Sequence, residues 1–159
     1  MEMPKPSDAH RKLEKFVGNW FGEEKIAPSP WDAQSGTAIG RVNNRLALDG
    51  FIVVQDYEQE RNGAVNYRGH GVFSYDANQN AHLLHWWDSM GMTPNVFKGA
   101  FDGQTVTLTC DDGPMKSRAI FKLGDNDYSF RMEASQDGGN WKTFVEGKYE
   151  RQSASGAAA

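Results

Sequence analysis

From residue 19 onward the chain alternates apolar and polar residues with a period of two. Short runs of this kind lie at 19–26, 37–46, 51–61, 67–75, 96–101, 104–110, 115–123, 128–133 and 141–151, the pattern of strands that bury one face. In the run 67–75, Tyr67, Gly69, Gly71, Phe73 and Tyr75 make one face and Arg68, His70, Val72 and Ser74 the other. In 51–61, Phe51, Val53, Gln55 and Tyr57 share a face, opposite Asp56, Glu58 and Glu60 with Ile52 and Val54. In 128–133, Tyr128, Phe130 and Met132 alternate with Ser129, Arg131 and Glu133, apolar inside and polar outside. A proline-rich loop, 28–32, follows the first run, and turn residues separate the others. Asp49-Gly50, Asn62-Gly63, Asp102-Gly103, Asp111-Asp112-Gly113, Gly124-Asp125-Asn126 and Asp137-Gly138-Gly139 all accept the tight backbone of a reversal. Regular short strands with such turns predict an up-and-down antiparallel β-barrel of about ten strands.

Ahead of the strands, Ser7 reads as a helix N-cap with Asp8 in the first turn, and 10–16 as one short helix. Leu13, Phe16 and Val17 fall at i, i+3 and i+4, giving one apolar face that closes a mouth of the barrel. Arg11, Lys12 and Lys15 form its solvated face. The first strand opens on Gly18-Asn19-Trp20. There Gly18 lets neighbouring backbone approach, and an inward Trp20 plugs the floor where strands converge. Period two then places Gly22 and Glu24 inward as well, and an inward carboxylate is costly unless it is paired or wet.

The turn Ala77-Asn78-Gln79-Asn80 fixes the fifth strand. A two- or four-residue hairpin pairs Tyr75 with His82, Phe73 with Leu84, Gly71 with Trp86 and Gly69 with Asp88. Trp86 and Asp88 then face inward, each opposite a glycine that leaves room, while His85 and Trp87 face outward. A three-residue loop would reverse this facing. The segment 90–94, with Met90 and Met92, is a long turn at a barrel mouth.

Three short runs carry a family likeness. The opening Phe16-Val17-Gly18-Asn19-Trp20 resembles that of the calycins, which include the lipocalins and fatty-acid-binding proteins. Gly69-His70-Gly71-Val72-Phe73-Ser74-Tyr75-Asp76 with Trp86-Trp87-Asp88-Ser89, and the closing Glu146-Gly147-Lys148-Tyr149-Glu150-Arg151, resemble a bacterial lipocalin-like family of unassigned function. The resemblance spans 13–151 and implies a ten-stranded barrel with an interior ligand cavity, and no reaction. Fatty-acid-binding proteins hold two helices between their first two strands, for which the loop here is too short. Their last strand anchors a carboxylate through Arg-x-Tyr, where this chain has Gly147 and Tyr149. Nitrobindins share the Gly-x-Trp opening but carry a Gly-rich first strand and a late histidine on haem iron. Here Glu23-Glu24 stand in that strand and no histidine follows His85, so no cofactor is expected.

Composition narrows the function further. The 159 residues fit one domain, taken as 1–152, followed by a low-complexity tail, 153–159, that is expected to be disordered. A hydrophobic share of 38% with 12% aromatics suits rings lining an interior beneath a polar outside. The net charge of −4 offers no basic stripe for nucleic acid. The single cysteine, Cys110, excludes an internal disulfide. With no apolar run of signal or membrane-span length, a cytoplasmic protein with no membrane partner is expected. The closest histidine pair, His82 and His85, points to opposite faces of a strand, so no metal site is expected. No nucleophile or phosphate-loop motif gives a catalytic residue.

What remains is a pocket. Glu24, Tyr67, Trp86, Asp88 and Tyr149 would project into the lumen as the ligand-binding set, with Gly18, Trp20, Gly69 and Gly71 shaping the barrel. A few polar groups in an apolar cavity suit a small ligand, and inward acids favour a neutral or cationic amphiphile. The alternatives are a barrel without ligand, an enzyme using Asp88 or Glu24 as general base, and haem-linked chemistry of the nitrobindin type.

Overall fold

The computed structural model describes residues 1–28, 35–111 and 115–153. The expected loop at 28–32, the turn at 111–113 and the tail at 153–159 lie mostly outside those residues. The strands are β1 (Gly18–Ile26), β2 (Gly36–Ala47), β3 (Ile52–Arg61), β4 (Ala64–Asp76), β5 (Ala81–Asp88), β6 (Asn95–Asp102), β7 (Thr105–Cys110), β8 (Lys116–Leu123), β9 (Asp127–Ser135) and β10 (Lys142–Gln152). Each pairs antiparallel with its chain neighbours, and β10 returns to β1 through Trp20–Arg151, Gly22–Tyr149 and Glu24–Gly147. The ten strands make a closed barrel, which leaves no edge to pair with other chains. At the β3–β4 hairpin, Asn62 and Gly63 both take positive φ, 53° and 81°, as a type I′ turn requires. The β4–β5 register is Gly69–Asp88, Gly71–Trp86, Phe73–Leu84 and Tyr75–His82.

The N-terminal segment is shorter as an α-helix than its sequence suggests. One α-turn, α1 (Asp8–Arg11), passes into a 3-10 segment, Lys12–Phe16. Three residues per turn put Leu13 and Phe16 one above the other, so both point at the barrel. Ser7 caps α1, accepting from the His10 amide while His10 reaches back to Ser7. Leu13 and Phe16 are buried, and Phe16 stacks on Phe73 at 4.3 Å with the edge of Phe121 at 5.2 Å. The His82 ring nitrogen Nε2 lies 2.8 Å from the Ala9 carbonyl and ties this plug to β5. Lys15 pairs with Asp125, leaving the outer face of the segment to solvent and surface ions.

Trp20 completes the closed end, but the role of Gly18 differs from expectation. The Trp20 indole N–H and the Asn44 amide both donate to the Phe16 carbonyl, at 2.8 and 2.9 Å. They satisfy a carbonyl that the helix end leaves unpaired. The Arg151 guanidinium lies 4.3 Å over the Trp20 ring and donates to the Val17 carbonyl. A Cβ on Gly18 would overlap that guanidinium, so Gly18 makes room for a side chain. The close approach of backbone falls at Gly22 instead, where a Cβ would run into the Lys148 carbonyl. Glu133 faces outward as the alternation predicts, yet it is covered. It is only 7% exposed, because Arg118 and Arg131 ion-pair with it on the outside of β9. Among the described residues no helix is long and apolar enough to cross a membrane.

Truncating Trp20 removes a ring that is 2% exposed and one donor to the Phe16 carbonyl. Trp20→Ala is expected to destabilise the fold by about 3–5 kcal/mol in denaturant melts. An unchanged midpoint would refute the role assigned to this residue.

Candidate functional site: the barrel cavity

The end of the barrel opposite the plug holds a cavity of about 440 Å³. It lies where β1 and β5 end and where β4, β6 and β10 begin, and Met90 and Asn95 stand exposed at its rim. Leu84, Phe97, Phe121, Phe130 and Met132 form an apolar wall. Gln55, Tyr57, Gln59, Asn66, Tyr67 and Asp88 supply polar atoms on the other side. No lysine or arginine lines it among the described residues.

Two hydrogen-bonded carboxylates organise the polar side. The first is Glu24, which is 0% exposed and enclosed behind the wall. The Tyr57 hydroxyl donates to both its oxygens at 2.7 Å, the Gln59 amide donates at 3.0 Å, and the Tyr149 hydroxyl donates to Oε2. The second is Asp88, in the wall itself. Its Oδ2 accepts from the Tyr67 hydroxyl at 2.8 Å and the Trp86 indole N–H at 3.3 Å, and its Oδ1 from the Met90 amide at 3.0 Å. Neither acid has a cationic partner among the described residues.

The structure thus divides the residues predicted from sequence into two groups. Tyr67, Trp86 and Asp88 come together at the mouth, with the Trp86 ring laid across Gly69. A Cβ on Gly69 would overlap Cζ2 and Cη2 of that ring, and one on Gly71 would sit 3.0 Å from Cε3. Glu24 and Tyr149 form the deeper group, in which Tyr149 reaches the cavity and Glu24 sits behind it. Tyr57 joins the two. It bonds to Glu24, and its ring centroid lies 6.0 Å from that of Tyr67 and 6.2 Å from that of Trp86. Sequence reasoning did not single out Tyr57 or Gln59 as site residues. The period-two continuation Val53, Gln55, Tyr57, Gln59 along β3 is the signal that places them.

The four histidines stand outside the cavity wall. His82 is turned to Ala9, His70 bonds Asp56 on the outer surface, and His10 caps the helix. His85 stacks near the outward Trp87 at 6.5 Å. Among the described residues no group of three or more His, Cys, Asp or Glu could hold a metal ion.

Residues 5–151 match the family described as "Protein of unknown function (DUF1579)". The chain belongs to that family. No curated protein matches the sequence. The crystal structure of Rv2717c from M. tuberculosis superposes with a TM-score of 0.71 at 11% identity, covering 92% of this chain and 99% of that one. The S-type phycobiliprotein lyase CPES from Guillardia theta gives a TM-score of 0.61 at 11% identity, covering 94% and 99%. At such identity the likeness shows the shared barrel alone.

The tyrosines give the site a measurable signature. Burial comes first in pushing the Tyr57, Tyr67, Tyr128 and Tyr149 hydroxyls well above the ordinary value of 10.0, and the nearby Glu24 or Asp88 charge adds to it. A raised folded value means that stability is full below pH about 10 and is lost as pH rises past it. In an alkaline titration, phenolate absorbance from these four should appear together with loss of the folded circular dichroism. Reversible ionisation of these four near the ordinary value in a folded barrel would contradict the geometry.

Proposed function

We propose that this barrel, taken as one domain over 1–152, is an intracellular binding protein for a small amphiphile, neutral or cationic, held in the lumen. The observation that supports it best is an apolar cavity with Asp88 in its wall, Glu24 behind, and no cation among the described residues to balance them. The apolar wall lowers the local dielectric, so a charged head group feels these acids strongly. At an effective dielectric of about 20, a unit charge 4 Å from a carboxylate interacts by about 4 kcal/mol. The sign opposes an anion and favours a cation. Gly147, where the fatty-acid-binding proteins have the arginine of their anchor, leaves an anionic head without a partner. The volume falls within the range of roughly 300–1,000 Å³ usual for small-ligand pockets.

In this reading Trp86 is a wall and Asp88 the polar anchor, with Tyr67 holding Asp88 in place. Tyr149 and Glu24 set the polarity of the deeper wall. The calycin likeness of the sequence agrees with a barrel that works through its interior. The single, buried Cys110 suits a reducing compartment such as the cytoplasm.

The test is tryptophan fluorescence against decanol, decyltrimethylammonium and decanoate, repeated with Asp88→Asn. The alcohol and the cation should bind and the carboxylate should not. Asp88→Asn should weaken the cation by about 1.5–3 kcal/mol and leave decanol unchanged. Tightest binding of decanoate would overturn the proposal.

A further inference from the structure

We infer that the head group at Asp88 is a protonated amine carrying N–H donors, rather than a quaternary ammonium or an acceptor-only group. This rests on the reading of the lumen as an amphiphile site and names the chemistry it selects. The reason is where the protons on this wall already point. The Tyr67 hydroxyl proton is directed to Asp88, and the Tyr57 hydroxyl proton to Glu24. The Trp86 N–H is shared between the Tyr67 oxygen at 3.2 Å and Asp88 at 3.3 Å. Each phenol oxygen has two lone pairs and one proton, and the proton is taken. The Tyr57 oxygen also accepts from the Gln59 amide at 3.2 Å, so at the mouth this cluster offers a ligand acceptors: the remaining lone pairs of Asp88, with the Tyr67 oxygen beside them.

An acceptor-only head group, such as a ketone, ether or carboxylate, would set oxygen against oxygen here and gain no hydrogen bond from Asp88. A donor bonded to a charged acceptor makes the stronger kind of hydrogen bond. The three rings at the mouth could instead suggest an aromatic cage for a methylated cation. Their orientation argues otherwise. Trp86 turns its N–H edge toward Asp88, and the edge of an aromatic ring carries the positive end of its quadrupole. A cation beside Asp88 therefore gains from the carboxylate and little from the indole face. Donors do exist elsewhere in the lining, on Gln55, Asn66, Asn95, Ser117 and Tyr128, but none of them bonds Asp88.

The experiment is isothermal titration calorimetry of the native protein at neutral pH. The probes are decylamine and its N-methyl, N,N-dimethyl and N,N,N-trimethyl derivatives, with decanol as the neutral reference. All four amines are cationic there, so charge is constant while N–H donors fall one at a time. Affinity should drop along the series, by about tenfold or more from first to last. Asp88→Asn should bring decylamine down to the level of decanol. Constant or rising affinity on methylation overturns the donor assignment, while decanol binding in the same titrations leaves the amphiphile reading standing. If neither decanol nor any amine binds, both fall.

Discussion

The hydrogen bonds of Glu24 are the constraint on which the rest of the barrel turns. A fully buried carboxylate is unfavourable by several kcal/mol unless its oxygens are satisfied. Here donors from β3 and β10 converge on a residue of β1. Those from β3 reach it past β2, and the one from β10 lies at the β1–β10 seam, where a sheet of ten strands has to close. Room for them comes from missing side chains. A Cβ on Gly40 would lie 2.6 Å from Glu24 Oε2, and one on Gly147 would lie 2.5 Å from the Tyr149 hydroxyl. The same bonds orient the Tyr57 and Tyr149 hydroxyls away from the cavity. One interaction thus helps to close the barrel and to set which atoms its interior presents.

The two ends of the barrel divide the work. At the plugged end Leu13, Phe16, Trp20, Phe73 and Phe121 pack as an apolar and aromatic core. The polar groups there are turned to the helix backbone, as with Trp20, Asn44 and His82. That end is filled, and its contacts serve stability. Toward the other end packing gives way to space, and the polar groups are held by one another. Trp86 shows the transition, since it belongs in part to the core and in part to the cavity wall.

Much of this was legible because period two is a rigid rule once a register is known. The four-residue turn at 77–80 fixed β4 against β5, and the inward positions of Trp86 and Asp88 followed from it. Counting from Trp20 likewise brought Glu24 inside. Contacts that depend on strands distant in sequence were not legible. Nothing local says that Tyr57 of β3 and Tyr149 of β10 meet at Glu24, or that Arg151 fills the space beside Gly18. Glu133 is a similar case. Its alternation points outward, but arginines from β8 and β9 cover it. Alternation assigns a face to each side chain, and only the closed barrel assigns it a partner.

A crystal structure of the protein with decylamine bears most directly on whether the lumen is the binding site and Asp88 its anchor. The account predicts one molecule in the cavity, with its nitrogen within hydrogen-bond distance of the Asp88 carboxylate and its chain against Leu84, Phe97 and Phe121. An amphiphile seated instead on the outer surface beside Phe21 and Trp87, with the lumen holding only water, would contradict it.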